Sequence, residues 1–146
     1  MTTNLAKFNA SLEKAATKIK GDCEKFHKQV CLEVLRRIVL RNPVDTGRSR
    51  GNWMVELGRP AVGILDVQGS AGEMAEAAIN RGISKLSDIP SYSIVHITNN
   101  VEYLYYLEYD RRSKQAPEGM VEITLTEMAT WLYKERTLIK WESGKY

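Results

Sequence analysis

Cysteine and histidine are scarce in this 146-residue chain, two of each, and their scarcity removes whole classes of chemistry. Cys23 and Cys31 lie eight residues apart in a segment with helical periodicity, which separates them by roughly 12 Å along the axis. A disulfide needs Cα atoms within about 7 Å. The two thiols are therefore expected to be small buried hydrophobes of a reducing compartment. His27 and His96 are far apart and no Cys-x-x-Cys occurs, so no metal cluster and no cofactor is expected. Long apolar runs are also missing. No stretch approaches the ~20 residues that span a bilayer. The opening MTTNLAKFNA has no apolar core of a signal peptide. The expectation is a protein made and kept in the cytoplasm, or in something assembled there, without membrane contact.

What is present suits a single domain. Hydrophobic residues make up 43% and charged residues 27%, average for a soluble globular protein and unlike a disordered one. The net charge of +3 is mild, but its distribution is uneven. Residues 1–42 hold nine Lys/Arg against four Asp/Glu, a net +5, while residues 43–100 and 101–146 each carry −1. An acidic partner would meet the chain at its first element.

That element reads as one helix over residues 4–41. Leu5, Phe8, Leu12, Ala15, Ile19, Cys23, Phe26, Val30, Val34 and Ile38 recur at steps of three or four, forming one apolar stripe expected to be core. Gly21-Asp22 is a weak point that could kink or split it. Asn42-Pro43 stops it. Such a helix is roughly 55 Å long. A compact domain of this size has a radius of gyration of about 15 Å. Part of the rod must project, bend or pack on something else.

The remaining residues, 43–146, read as an α+β body. Residues 43–52, PVDTGRSRGN, form a polar loop with turn chemistry at Asp45, Thr46 and Gly47. Trp53, Val55 and Leu57 alternate as in a strand, and the apolar run Ala61–Val67 is its expected hairpin partner. Ser70 and Glu73 have capping-box spacing ahead of a helix from Met74 to Arg81, which Gly82 is expected to end. Tyr92–Ile97 has the composition of a strand. Asn99, with Glu102 three residues on, is placed to cap a tyrosine-rich helix from Val101 to Asp110. Residues 111–118, RRSKQAPE, form a charged loop whose Pro117 suits a first helical turn. Val121, Leu125, Met128, Leu132 and Ile139 mark a long C-terminal helix, although Val121–Leu125 also has strand composition. The expected architecture is a long N-terminal helix, a small antiparallel sheet, short helices, and a long C-terminal helix packed on the sheet.

Catalytic constellations are wanting. Gly47-Arg-Ser-Arg-Gly51 lacks the Gly-Lys-Ser/Thr ending of a phosphate-binding loop. Cys23 and His27 are four apart on one helical face, the beginning of a nucleophilic pair, but Cys23 belongs to the apolar stripe. Asp66 and Asp88 have no acidic partner at a useful spacing. Tyr103, Tyr105, Tyr106 and Tyr109 could stack bases. No basic residue is interleaved among them, and packing or interface use fits them better. The chain reads as a non-enzyme.

Three stretches in order carry a resemblance: Asn42-Pro-Val-Asp-Thr-Gly-Arg48, Ile97-Thr-Asn-Asn-Val-Glu-Tyr103 with Leu107-Glu-Tyr109, and Ser113-Lys-Gln-Ala-Pro-Glu-Gly-Met-Val121. Preceded by a long basic helix, and with Trp53 at an aromatic position, this pattern over residues 25–130 resembles the tail-component, or tail-completion (neck), family of long-tailed bacteriophages, the group of the lambda-like minor tail protein Z. Arg111-Arg112-Ser113 stands where that family commonly has a glycine.

The resemblance implies a non-catalytic virion subunit at the head–tail junction, assembled in host cytoplasm. It would form a ring of six or twelve copies between the tail terminator or tail tube and the head–tail connector, with packaged DNA in the lumen. Loops carry function on a rigid scaffold, so Asp45, Arg48, Arg50, Arg111, Arg112, Lys114 and Gln115 are the expected interface residues, the arginines pairing with carboxylates of a neighbour. Phe8, Leu12, Ile19, Phe26, Val30, Val34, Ile38, Gly47, Trp53, Asn99 and Pro117 are the expected core and structural positions. The alternative function is a nucleic-acid-binding module using the basic first helix.

Overall fold

A computed structural model describes residues 4–90, 93–110 and 113–138, with side chains described through Lys134. Helix α1 spans Asn4–Arg41, as the periodicity predicts, and runs unbroken through Gly21-Asp22. It is followed by α2 (Arg48–Gly51), β1 (Met54–Leu57), α3 (Ala71–Leu86), β2 (Val95–Thr98), α4 (Leu104–Glu108) and α5 (Val121–Leu138). The fold is α+β. Its two strands pair antiparallel, with Met54 opposite Thr98 and Leu57 opposite Val95. A two-stranded sheet is marginal alone. Here α3 lies across β1 and packs in turn on α1, while α5 takes its packing chiefly from α1 rather than from the sheet.

The core sits where these layers meet. Leu35, Val39, Ala78 and Met120 are fully enclosed beside Trp53, Val55, Ala75, Leu86 and Ile89. Only the last third of α1 contributes, through Cys31, Leu35, Ile38 and Val39. The expected stripe is thus corrected in two ways. Val30 and Val34 are half-buried, because the buried line runs one residue further round the helix, along Cys31 and Leu35. Phe26 is also half-buried. Phe8, Leu12 and Ile19 are not core at all. They are 60%, 52% and 37% exposed, because the body is too small to reach that end of the rod. Cys23 is likewise exposed, and only Cys31 fits the buried-thiol expectation.

Four local expectations also change. The partner of β1 is β2, whose residues lie 38 to 44 positions on from those they pair with, and not Ala61–Val67. That run is irregular; Val62 is 90% exposed, and its carbonyls bond to asparagine side chains. Ser70 does cap α3, its Oγ accepting from Glu73 N–H at 3.2 Å. Gly82, however, lies inside α3 and is buried, because it gives close passage between α3 and α1 and does not end the helix. Asn99 accepts from Val101 N–H in a turn, and α4 is shorter than expected, with no side-chain cap. Pro117 sits before α5, in a turn closed by Gly119 N–H bonding to Ala116 C=O, where proline at the second position and glycine at the fourth are favoured.

Candidate functional site

The loop after α1 is built around Asn42, whose side chain is fully enclosed. Its Oδ1 accepts from Trp53 Nε1 at 2.9 Å and from Ser49 Oγ at 3.1 Å. Its Nδ2 donates to Ser49 Oγ and to Pro43 C=O. The Arg50 guanidinium closes the end of α1, donating to the carbonyls of Leu40 (3.0 Å) and Asn42 (2.8 Å) and to Ala71 C=O across the joint. The Leu40 and Asn42 carbonyls, at the end of α1, have no partner within the helix, so Arg50 is committed inside the fold. Asn52 does similar duty for the 61–67 run, exchanging hydrogen bonds with Leu65 N–H and C=O while also donating to Arg48 C=O. Gly47 has φ +83°, and a Cβ there would meet Gly69 O at 2.5 Å, so glycine is required.

The other two segments close onto this loop. Asn99 Nδ2 donates to Ser49 C=O at 2.8 Å. Arg48 forms a two-pronged ion pair with Glu102, at 2.8 and 3.2 Å, and lies 5.9 Å from the Tyr103 ring centroid. Gln115 reads the backbone of Val44 as a strand would, accepting from its N–H at 2.9 Å and donating to its C=O at 3.0 Å. Glu108, at the end of α4, accepts from the N–H groups of Met120, Val121 and Glu122 at 2.6 to 3.0 Å. It thereby places a carboxylate on the positive end of α5. Between the segments lies an open groove of about 560 Å³, lined in part by Val44, Asp45, Arg48, Tyr103, Leu107 and Gln115.

The expected interface residues therefore divide. Asp45 and Lys114 are exposed. Arg48 and Gln115 rim the groove but are engaged with Glu102 and Val44. Arg50 is engaged internally, and Arg111 and Arg112 lie outside the described residues. Asn42, Ser49, Asn52, Glu102 and Glu108 were missed as site residues. For Asn42 the signal was only its place before proline; for Glu108 there was none, since its partners lie 12 to 14 residues downstream.

Among the described residues no three His, Cys, Asp or Glu side chains converge to hold a metal ion. No helix among them is long and apolar enough to cross a membrane. Burial pushes the Cys31 thiol up, away from the reactive thiolate. Comparison with family models, curated proteins and solved structures gives no match to this chain.

Two outcomes test the joint. The hydrogen bonds from Arg48 hold the Glu102 carboxyl below its usual range. A carboxylate with a lowered folded-state pKa contributes stability that is complete above its unfolded value and is lost as pH falls through the folded one. Melting temperatures of the native chain and of Glu102→Gln should therefore converge as pH falls below the usual carboxylate range of about 4; parallel curves would mean the pair contributes nothing. Glu108→Ala should fray the start of α5 and lower stability by roughly 1–3 kcal/mol, read as lost helical ellipticity and a lower urea midpoint. An unchanged midpoint would mean that water caps α5 equally well.

Proposed function

We propose that this chain is a structural virion subunit of the head–tail junction of a long-tailed bacteriophage, a tail-completion or neck protein with no catalytic role. The observation that carries the reading is the convergence of three separated segments. Residues 42–48, 97–109 and 113–121, which together resemble that family, meet in one joint through Arg48–Glu102, Gln115–Val44 and the Glu108 cap. Residues brought together in this way act as a unit that presents loops on a rigid support. The second support is the rod: the apolar stripe of α1 stays uncovered by its own chain over Leu5, Phe8, Leu12 and Ile19, as expected of a protein that completes its packing in an assembly.

In this reading copies form a ring that contacts the tail terminator or tail tube on one side and the connector on the other, with DNA passing through the lumen unread. The test is composition and assembly. Purified virions should contain the chain in stoichiometric amounts, and particles lacking it should accumulate as separate heads and tails. Its absence from virions, or normal joining without it, overturns the proposal. Arg111→Glu combined with Arg112→Glu should retain native circular dichroism and block joining; normal completion would remove that loop from the interface.

One observation favours a second reading as a nucleic-acid binder. The first seven turns of α1 carry Lys7, Lys14, Lys18, Lys20, Lys25 and Lys28 against Glu13, Asp22 and Glu24. Phosphate contacts would make affinity for duplex DNA fall steeply with salt. No binding at low salt dismisses it.

A further inference from the structure

We propose that the projecting part of α1 is covered by the outer face of α5 from a second copy of this chain, in a head-to-tail contact; this deepens the ring reading by naming the two surfaces that meet. The α1 surface is a seam. Leu5, Leu12 and Ile19 are spaced by seven, as are Phe8 and Ala15, the heptad repeat of a helix that packs along another helix. Its large members are exposed, Leu5 at 66% and Phe8 at 60%.

Charge selects the partner. Over residues 4–19 the positions flanking this seam carry Lys18 and no acidic residue. Pairing α1 with α1 would align like charges and gain no interhelical ion pair. The complementary surface is on α5. Leu125, Leu132 and Tyr133 are exposed at 60%, 36% and 63%. Residues 118–134 carry Glu118, Glu122 and Glu127 against a single Lys134. The same pairing already occurs once within the chain, where Arg37 and Arg41 of α1 meet Glu127 of α5. The Glu127 and Met128 side of α5 faces its own α1, and Met128 is buried there. The Leu125 side remains for the α1 seam of a neighbour. Such a contact joins two different surfaces, so it repeats from copy to copy, and it closes as a ring when the rotation between copies divides a full turn.

The test uses the full chain with a photoreactive benzoylphenylalanine in place of Leu12, irradiated at high micromolar concentration. Expected are covalent dimers and larger species, with proteolytic peptides that join residue 12 to residues 121–134. Leu12→Asp should leave the melting temperature unchanged, because the site is solvent-facing in the monomer. Placed on a partner of a chain labelled at Leu125, it should cut the cross-linked yield by about tenfold, since the contact would bury an unpaired carboxylate. Glu122→Lys should weaken cross-linking, and adding Lys18→Glu should restore it. Cross-links to residues 5–19 of the other copy, cross-links confined to other elements, or no intermolecular product would each overturn the assignment. Virion composition tests the junction role separately: a self-associating chain absent from particles would sink that role and leave this contact standing.

Discussion

Replacing Asn42 by Ala is expected to remove roughly 2–6 kcal/mol of stability, a large part of the 5–15 kcal/mol typical of a domain. The Asn42 side chain is fully enclosed and is shared by Ser49 and Trp53. Its loss orphans the Trp53 indole N–H and the Ser49 hydroxyl in a space closed to water, at about 1–3 kcal/mol each. Urea unfolding monitored by tryptophan fluorescence reads the loss. A double-mutant cycle with Trp53→Phe isolates the shared bond. Trp53→Phe should cost less in the Asn42→Ala background than alone, with a coupling of about 0.5–3 kcal/mol. Additive effects would show that the Asn42–Trp53 hydrogen bond contributes nothing. Because the same residue organises the first of the three converging segments, Asn42→Ala should also loosen the groove: amide exchange at Val44, held by Gln115, should accelerate.

The second large effect belongs to Gly82. A Cβ built there lands on Leu35 Cδ2 and comes within 3.2 Å of Val55 Cγ2. Leu35 is itself fully enclosed, in an interior packed too closely for it to turn aside freely. Gly82→Val should therefore cost about 3 kcal/mol by overpacking, partly offset by the poorer helix propensity of glycine. Leu35→Ala alone should cost about 2–5 kcal/mol through the cavity it leaves. Combined, the substitutions fill one another's fault, and the double variant should be more stable than the sum of the two losses predicts. A loss equal to that sum would mean that α1 and α3 do not approach as described.

Gly82 also shows where sequence reading stops. A glycine after an alanine-rich run has the pattern of a helix end, because glycine accepts the left-handed conformation found there. Its buried neighbours come from α1 and β1, 47 and 27 positions earlier in the chain, and no local pattern reports them. The hairpin failed for a related reason. Ala61–Val67 has strand composition, but β propensity reflects packing on a half-buried surface. That surface was taken by β2, while Asn52 and Asn100 captured the backbone of the run. The joint was only partly legible. Turn chemistry located Gly47, while residues 48–51 of the expected 43–52 loop form α2, and Arg48–Glu102, Gln115–Val44 and Glu108 on the start of α5 join positions 12 to 71 residues apart.

The sequence by itself determined the elements whose causes are local. The span of α1 follows from its apolar period and from Pro43, the start of α3 from Ser70, and the α+β class from the alternation of long periodic stretches with short β-branched ones. Tertiary structure alone decided which face of α1 is core, which strand completes the sheet, and which polar side chains are spent inside the fold. An apolar stripe specifies that something must cover it. What covers it, and how far along the rod, depends on the shape and reach of the body, and these exist only once distant residues have packed together.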